Sequence, residues 1–245
     1  FAAFSNSVRV TKNSKYYLVE SNGIPAHPMM TGIVSWQQQI PTPQPYSGSN
    51  AWSIPLKPTL SKAPISAKGH FLRGAIAIAV NGVPIFNALN NRGDDAFLAG
   101  ELDDWGGHCG RADDYHYHIA PLHLQSIVGK KVPIAYALDG YPIYGDTEMD
   151  GKPIGKLDEF NGHFDSKKNY HYHGTKTYPY INGGFKGVVQ EIDGQVDPQS
   201  LTRAFRPAGA PLKGAKIISC DQLGNNSFDL KYELSGQIYE IKYSA

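Results

Sequence analysis

Two stretches, LDDWGGHCGRADDYHYH at Leu102–His118 and LDEFNGHFDSKKNYHYH at Leu157–His173, align without a gap at an offset of 55 residues and decide how this chain is read. Both keep Leu, Asp, a second acid, an aromatic ring, Gly-His and a closing Tyr-His-Tyr-His. Self-similarity at a fixed period marks a repeated structural unit. The tetrad reads as a strand, in which successive side chains point to opposite faces. His116 and His118 then project together, as do His171 and His173. Tyr115, Tyr117, Tyr170 and Tyr172 face the other way and read as core.

The repeat extends upstream. Ile76–Asn87 reads IAIAVNGVPIFN and Ile134–Gly145 reads IAYALDGYPIYG, each an apolar run, an Asn-Gly or Asp-Gly pair and a Pro-Ile-aromatic exit. Asn, Asp and Gly tolerate the positive φ of tight turns, so these pairs predict hairpins, and Asp139 reads first as a turn residue like its counterpart Asn81. Units of about 76–118 and 134–173 are therefore expected to be mostly strand, related by an internal duplication. Asn22-Gly23-Ile24-Pro25 is a fainter third occurrence.

Outside the units, Val8–Thr11 with Tyr16–Glu20, and Ser227–Leu234 with Gln237–Tyr243 around Ser235-Gly236, predict hairpins. Ile40–Pro64, rich in Pro, Ser and Gln, reads as surface chain. Short helices are predicted within Leu122–Val128 and from an Asp197-Pro198 cap through Phe205. The expected fold is mainly β: one domain over residues 1–245, with antiparallel sheets about an internal pseudo-two-fold and few short helices.

With 23 Lys and Arg against 22 Asp and Glu, and no long run of like charge, neither a nucleic-acid groove nor a basic membrane surface is indicated. Nothing resembles an apolar membrane span. The chain begins at Phe1, which predicts a removed leader and a secreted or periplasmic location. Cys109 and Cys220 permit one disulfide or two free thiols. Asn225 opens an N-x-Ser acceptor. No Walker loop, Rossmann fingerprint or nucleophile elbow is present.

Six of the nine histidines fall in the repeat: His108, His116 and His118, then His163, His171 and His173. Two imidazoles on one strand face can reach a common ion at about 2.0–2.1 Å, with the Gly-His histidine as third ligand. Neutral imidazole suits copper, zinc, iron and nickel, and the tetrads carry no carboxylate at fixed spacing for calcium or magnesium. The expected cofactor is a transition-metal ion, copper slightly ahead of zinc. The bland alternative is a half-buried strand whose histidines are solvated or tie down loops. Asp103, Asp104, Asp158 and Glu159 are candidates to orient a histidine or act as general base, although Asp103 and Asp158 also read as caps of a turn. His27, beside Met29 and Met30, is a further candidate ligand suited to Cu(I). His70 and His123 read as structural. Cys109 adjoins His108, but Phe164 replaces it in the second unit, so it reads as a disulfide or inert thiol. Arg92-Gly93-Asp94 matches an adhesion tripeptide too short to carry weight.

Through NGIPAH, VNGVPIF, YALDGYPIYG, LDEFNGH, the second tetrad and YPYINGGFKG, the chain resembles the YHYH-domain family of mostly extracytoplasmic proteins, over Asn22 to Gly187. The second unit fits that pattern most closely. The resemblance implies export and adds interest to His27, and it supplies no reaction. The function expected is extracytoplasmic metal binding. The alternatives are a metal-dependent hydrolase or oxidoreductase acting on a small molecule through an open coordination position, and a structural or adhesive matrix protein. Because a pseudo-two-fold brings equivalent strands together near its axis, a shared or adjacent pair of ions is favoured over two separate sites.

Overall fold

The computed structural model describes residues 1–34, 36–224 and 226–245; the acceptor Asn225 lies outside the described residues. The chain opens with an antiparallel hairpin, β1 (Arg9–Lys12) and β2 (Tyr16–Glu20), whose turn is held by Asn13 Oδ1 accepting the N–H groups of Lys15 and Tyr16. β3 (Trp52–Pro55) extends this sheet along β2, and β4 (Leu60–Ser66) follows. The Pro- and Ser-rich stretch 40–64 is therefore not all surface loop. Trp52 and Ile54 alternate inward on β3 with 2% exposure each, a period too short to stand out among the turn-forming residues around it.

Eight strands form the central sheet. Those of the first unit are β5 (Ala75–Ala79), β6 (Pro84–Phe86), β7 (Gly107–Cys109) and β8 (Tyr115–Tyr117). A short helix α1 (Leu124–Val128) leads to those of the second: β9 (Ala135–Ala137), β10 (Pro142–Tyr144), β11 (Gly162–Phe164) and β12 (Tyr170–His173). Their order across the sheet is β11-β12-β10-β9-β5-β6-β8-β7. If β5 is matched with β9, β6 with β10, β7 with β11 and β8 with β12, this order is palindromic about the antiparallel β5–β9 pair, where Ile78 opposes Tyr136. β5 is buried along its whole length, which explains its unbroken apolar run.

Each unit repeats the same local construction. Val80-Asn81-Gly82 and Leu138-Asp139-Gly140 are three-residue hairpin loops closed by Ala79–Val83 and Ala137–Tyr141 backbone bonds of 3.0 Å. Gly82 and Gly140 hold φ of 83° and 93°, the left-handed conformation that favours glycine at this loop position. β7 then runs at the sheet's outer edge and β8 returns inside it. β8 is thus antiparallel to β7 but parallel to β6, as β12 is to β10, so the sheet is mixed.

Downstream, β13 (Gly184–Gly187) pairs with β4, and β14 (Gln190–Ile192) pairs with β15 (Gln195–Asp197). β16 (Lys216–Gln222), β17 (Ser227–Leu234) and β18 (Gln237–Ser244) form the closing antiparallel sheet, which contains the expected hairpin around Ser235-Gly236. The helix expected from Asp197 to Phe205 does not form. Asp197 ends β15 opposite Gln190, the extended conformation that a residue before proline prefers. One apolar cluster joins Trp52, Ile76, Ile143, Tyr117, Tyr172 and Phe228 from these sheets.

Candidate metal centres

The register of each outer hairpin creates a cluster. His108 lies directly across from His116 on β7 and β8, and His163 across from His171 on β11 and β12. Directly opposed side chains share a face, and residues two apart on one strand share it too. His118 and His173 therefore complete two sets of three imidazoles. The Gly-His histidine is thus a cross-strand neighbour of its tetrad.

In the first set, His116 Nε2 lies 3.2 Å from His118 Nε2, which lies 3.0 Å from His108 Nε2. In the second, the three Nε2 atoms are separated by 3.0, 3.1 and 3.2 Å. Three nitrogens held tetrahedrally at about 2.05 Å from zinc would be about 3.3 Å apart, so both sets have the span of a three-imidazole metal site.

The other ring nitrogens decide what these Nε2 atoms carry. His108 Nδ1 donates to the Glu101 carbonyl at 3.0 Å, His116 Nδ1 to Asp114 at 2.9 Å and His118 Nδ1 to Asn87 at 2.6 Å. A carbonyl only accepts, so each Nδ1 carries a proton, and a neutral ring so arranged presents a lone pair at Nε2. Three lone pairs thus converge with no proton to share, an arrangement that a cation resolves. In the second set His173 Nδ1 donates to the Gly145 carbonyl at 2.9 Å, and His171 is hydrogen-bonded to the Asn169 backbone.

A carboxylate missed by sequence reasoning completes the second set. Glu148 Oε1 lies 3.3 Å from His163 Nε2, and its Oε2 lies 3.8 and 3.7 Å from His171 and His173. Burial raises the Glu148 pKa, but the Gly155 N–H and the three histidines outweigh it and leave the group lowered. Glu148, His163, His171 and His173 form one group that could hold a metal ion, and His108, His116 and His118 form the other. Only the repeat alignment carried a signal for Glu148, which falls opposite Asn90 in the loop after the Pro-Ile-aromatic exit.

The two sets lie toward opposite ends of the sheet. β8 and β12 are five strand positions apart, on the order of 24 Å at about 4.8 Å per strand. The expectation of a shared or adjacent site is thereby corrected, because β5 and β9 occupy the centre and carry the histidine strands outward.

The tyrosines do more than pack. Tyr115 donates to Asp103 Oδ2 at 2.8 Å, and Asp103 also accepts the N–H groups of Met30, Trp105 and Gly107. Tyr170 repeats this with Asp158, which accepts the Phe160 and Gly162 N–H groups. Asp103 and Asp158 are thus turn caps on the tyrosine side, while Asp104 and Glu159 are exposed; none of the four is brought to the imidazoles. Tyr172 donates to Asp139 at 2.5 Å, and burial pushes the Asp139 pKa up to about 6 against its hydrogen bonds. Replacing Asp103 by Ala strands several buried donors and is expected to lower unfolding free energy by about 3 kcal/mol or more in denaturant titration. A loss under about 1 kcal/mol would contradict the capping role.

His27 is not brought to either cluster. Its Nδ1 is 2.7 Å from the Pro28 carbonyl, so its Nε2 accepts the Tyr117 hydroxyl at 2.6 Å. The ring stacks on Trp105, and Met29 and Met30 are buried in the core. His70 pairs with Glu191 at 2.7 Å, while His123 packs edge-on to His27 and Trp105. Cys109 and Cys220 are buried and free, and Cys109 points away from His108 by strand alternation.

Burial, then His116, lowers the His108 pKa to about 3. Burial first also lowers His173, from 6.5 to about 4, and takes His118 well below its ordinary value. A histidine with a depressed folded pKa adds stability above its unfolded pKa and loses it as pH falls. The metal-free protein should therefore weaken from about pH 6.5 down toward pH 4, by up to about 1.4 kcal/mol per pH unit for each deeply buried imidazole. Denaturant midpoints measured across that range check this, and a flat profile would contradict it.

Fold and site define a mainly β protein bearing two three-histidine clusters, one of them joined by a glutamate. Residues 51–154 match the family model described as YHYH protein, and the family resemblance drawn from the tetrads is borne out there. The match spans the first unit and ends before His163, short of the second tetrad, although that unit's motifs looked closest to the family pattern. No curated protein and no solved structure matches the chain.

Proposed function

We propose that this protein binds two transition-metal ions, copper or zinc, one at each histidine cluster. The observation that carries the reading is the convergence of three Nε2 atoms, with His118 Nε2 3.2 Å from that of His116 and 3.0 Å from that of His108, while their Nδ1 atoms are committed to backbone carbonyls. His108, His116 and His118 would hold one ion; His163, His171, His173 and Glu148 the other. The donors gathered are imidazoles with one carboxylate, a set that suits divalent zinc or copper, and Met29 and Met30 beside His27 lie in the core rather than at either cluster. The proposal treats residues 76–118 and 134–173 as copies of one unit within a single domain, which the palindromic strand order supports.

An extracytoplasmic location belongs to the same proposal and rests on the family resemblance. Cell fractionation checks it. Among the described residues, no helix is long and apolar enough to cross a membrane.

Metal analysis of protein purified without added metal, followed by titration of chelator-treated protein with zinc and copper, tests the reading. Two tight equivalents are expected, and none would overturn it. A metal-dependent enzyme is the second reading, favoured by a cavity of about 720 Å³ lined by His108, His116 and His118.

A further inference from the structure

The clusters differ at one position, and the backbone identifies it. Asn90 and Glu148 open the same turn: the Gly93 N–H donates to the Asn90 carbonyl at 2.9 Å, and the Gly151 N–H to that of Glu148 at 2.8 Å. The Asn90 N–H donates to Asp94 at 2.8 Å, and that of Glu148 to Lys152 at 2.9 Å. Glu148 reaches its histidines, whereas Asn90 turns into its own loop. Asn90 Oδ1 accepts the Arg92 and Asp94 N–H groups, and its Nδ2 donates to Glu101. The second cluster therefore has four donor groups and the first has three. Four-ligand sites are closed and structural, and three-ligand sites keep a position for an exchangeable ligand.

The first cluster also lines the large cavity, together with Arg73 and Arg111. Arg92, on the same wall, is paired with Asp94 and Glu101. Among the described residues neither Arg73 nor Arg111 has a carboxylate partner; Arg111 donates to the Arg206 carbonyl at 3.1 Å. Ile33, Trp36 and Trp52 add apolar wall. Guanidinium groups recognise planar oxyanions, and apolar walls hold a carbon skeleton.

We infer that the His108–His116–His118 cluster is the ligand-exchanging centre and takes an organic carboxylate in this cavity, with Arg73 and Arg111 as its counter-charges. The cluster closed by Glu148 has a structural role. The inference rests on the proposal that both clusters bind metal.

Protein loaded with two equivalents of cobalt(II), whose visible bands report its ligands, is titrated with benzoate and separately with inorganic phosphate. Benzoate is expected to change the bands of one equivalent only. Arg73→Met with Arg111→Met should weaken benzoate about tenfold or more while both equivalents are retained. Asn90→Glu, which supplies the missing carboxylate, should abolish the response. Glu148→Gln, which touches only the other cluster, should leave the benzoate affinity of the first unchanged. No cobalt bound would overturn the metal proposal itself. Two equivalents bound with no benzoate response, or an equal response at both, would overturn this inference alone. A response to phosphate without one to benzoate would overturn the assignment to an organic carboxylate.

Discussion

Replacing His116 and His118 together by Ala is expected to remove one of two metal equivalents and leave the other untouched. Both residues belong to the cluster on β7 and β8, and that cluster lies five strand positions from the one on β11 and β12. Losing two of three ligands should cost about 5 kcal/mol of binding, a weakening on the order of 10³–10⁴-fold. The surviving ion should still raise the melting temperature, since a ligand at 100 times its Kd adds about 2.7 kcal/mol. Equilibrium dialysis with zinc measures the stoichiometry and the affinity, and a thermal melt with and without zinc measures the stabilisation. Simultaneous loss of both equivalents would restore the shared site that the strand order excludes.

The glycine of the Gly-His pair supports the second large effect. A Cβ on Gly162 would run into the Tyr170 hydroxyl and come within 2.7 Å of the His171 carbonyl. That carbonyl belongs to the strand that fixes His163 against His171. Neither contact yields without moving β11 away from β12. Gly162→Ala is expected to lower stability by about 3 kcal/mol and to displace His163 from its cluster. Gly155→Ala is the control, because a Cβ there makes only ordinary contact with His163 at 3.6 Å. Calorimetry with metal titration checks the pair. A Gly162→Ala protein as stable and as metal-competent as the control would refute the account of this glycine.

The histidine faces were legible in the sequence because strand alternation and the Gly-His spacing are local. His-x-His puts two rings on one side whatever the rest of the chain does. The hairpin loops were legible for the same reason, since Asn81-Gly82 and Asp139-Gly140 carry their own turn chemistry. What could not be read is how the units are joined. The antiparallel contact between Ala75–Ala79 and Ala135–Ala137 sets the distance between the clusters, and nothing local to a tetrad reveals it. Glu148 escaped because its loop varies between the units, and the residue opposite it in the first unit is Asn90, which is not an acid. Asp103 and Asp158 were ambiguous between cap and base until their tyrosine partners were placed. Tyr115 and Tyr170 hold those carboxylates on the side of the strand away from the imidazoles.

These features give the tetrad a division of labour. Tyr115, Tyr170 and Tyr172 bind turn acids and Tyr117 the turn residue Asn81, fixing the strand against its loops. Its histidines, with the Nδ1–H groups of His116, His118 and His173 donating to backbone carbonyls, gather their Nε2 atoms in two clusters. The most direct test is anomalous diffraction from a crystal of zinc-loaded protein. Two separate peaks are expected, each about 2.0–2.1 Å from three histidine Nε2 atoms, with Glu148 completing the second. A single peak between the clusters, or histidine sets with no peak at all, would contradict the account.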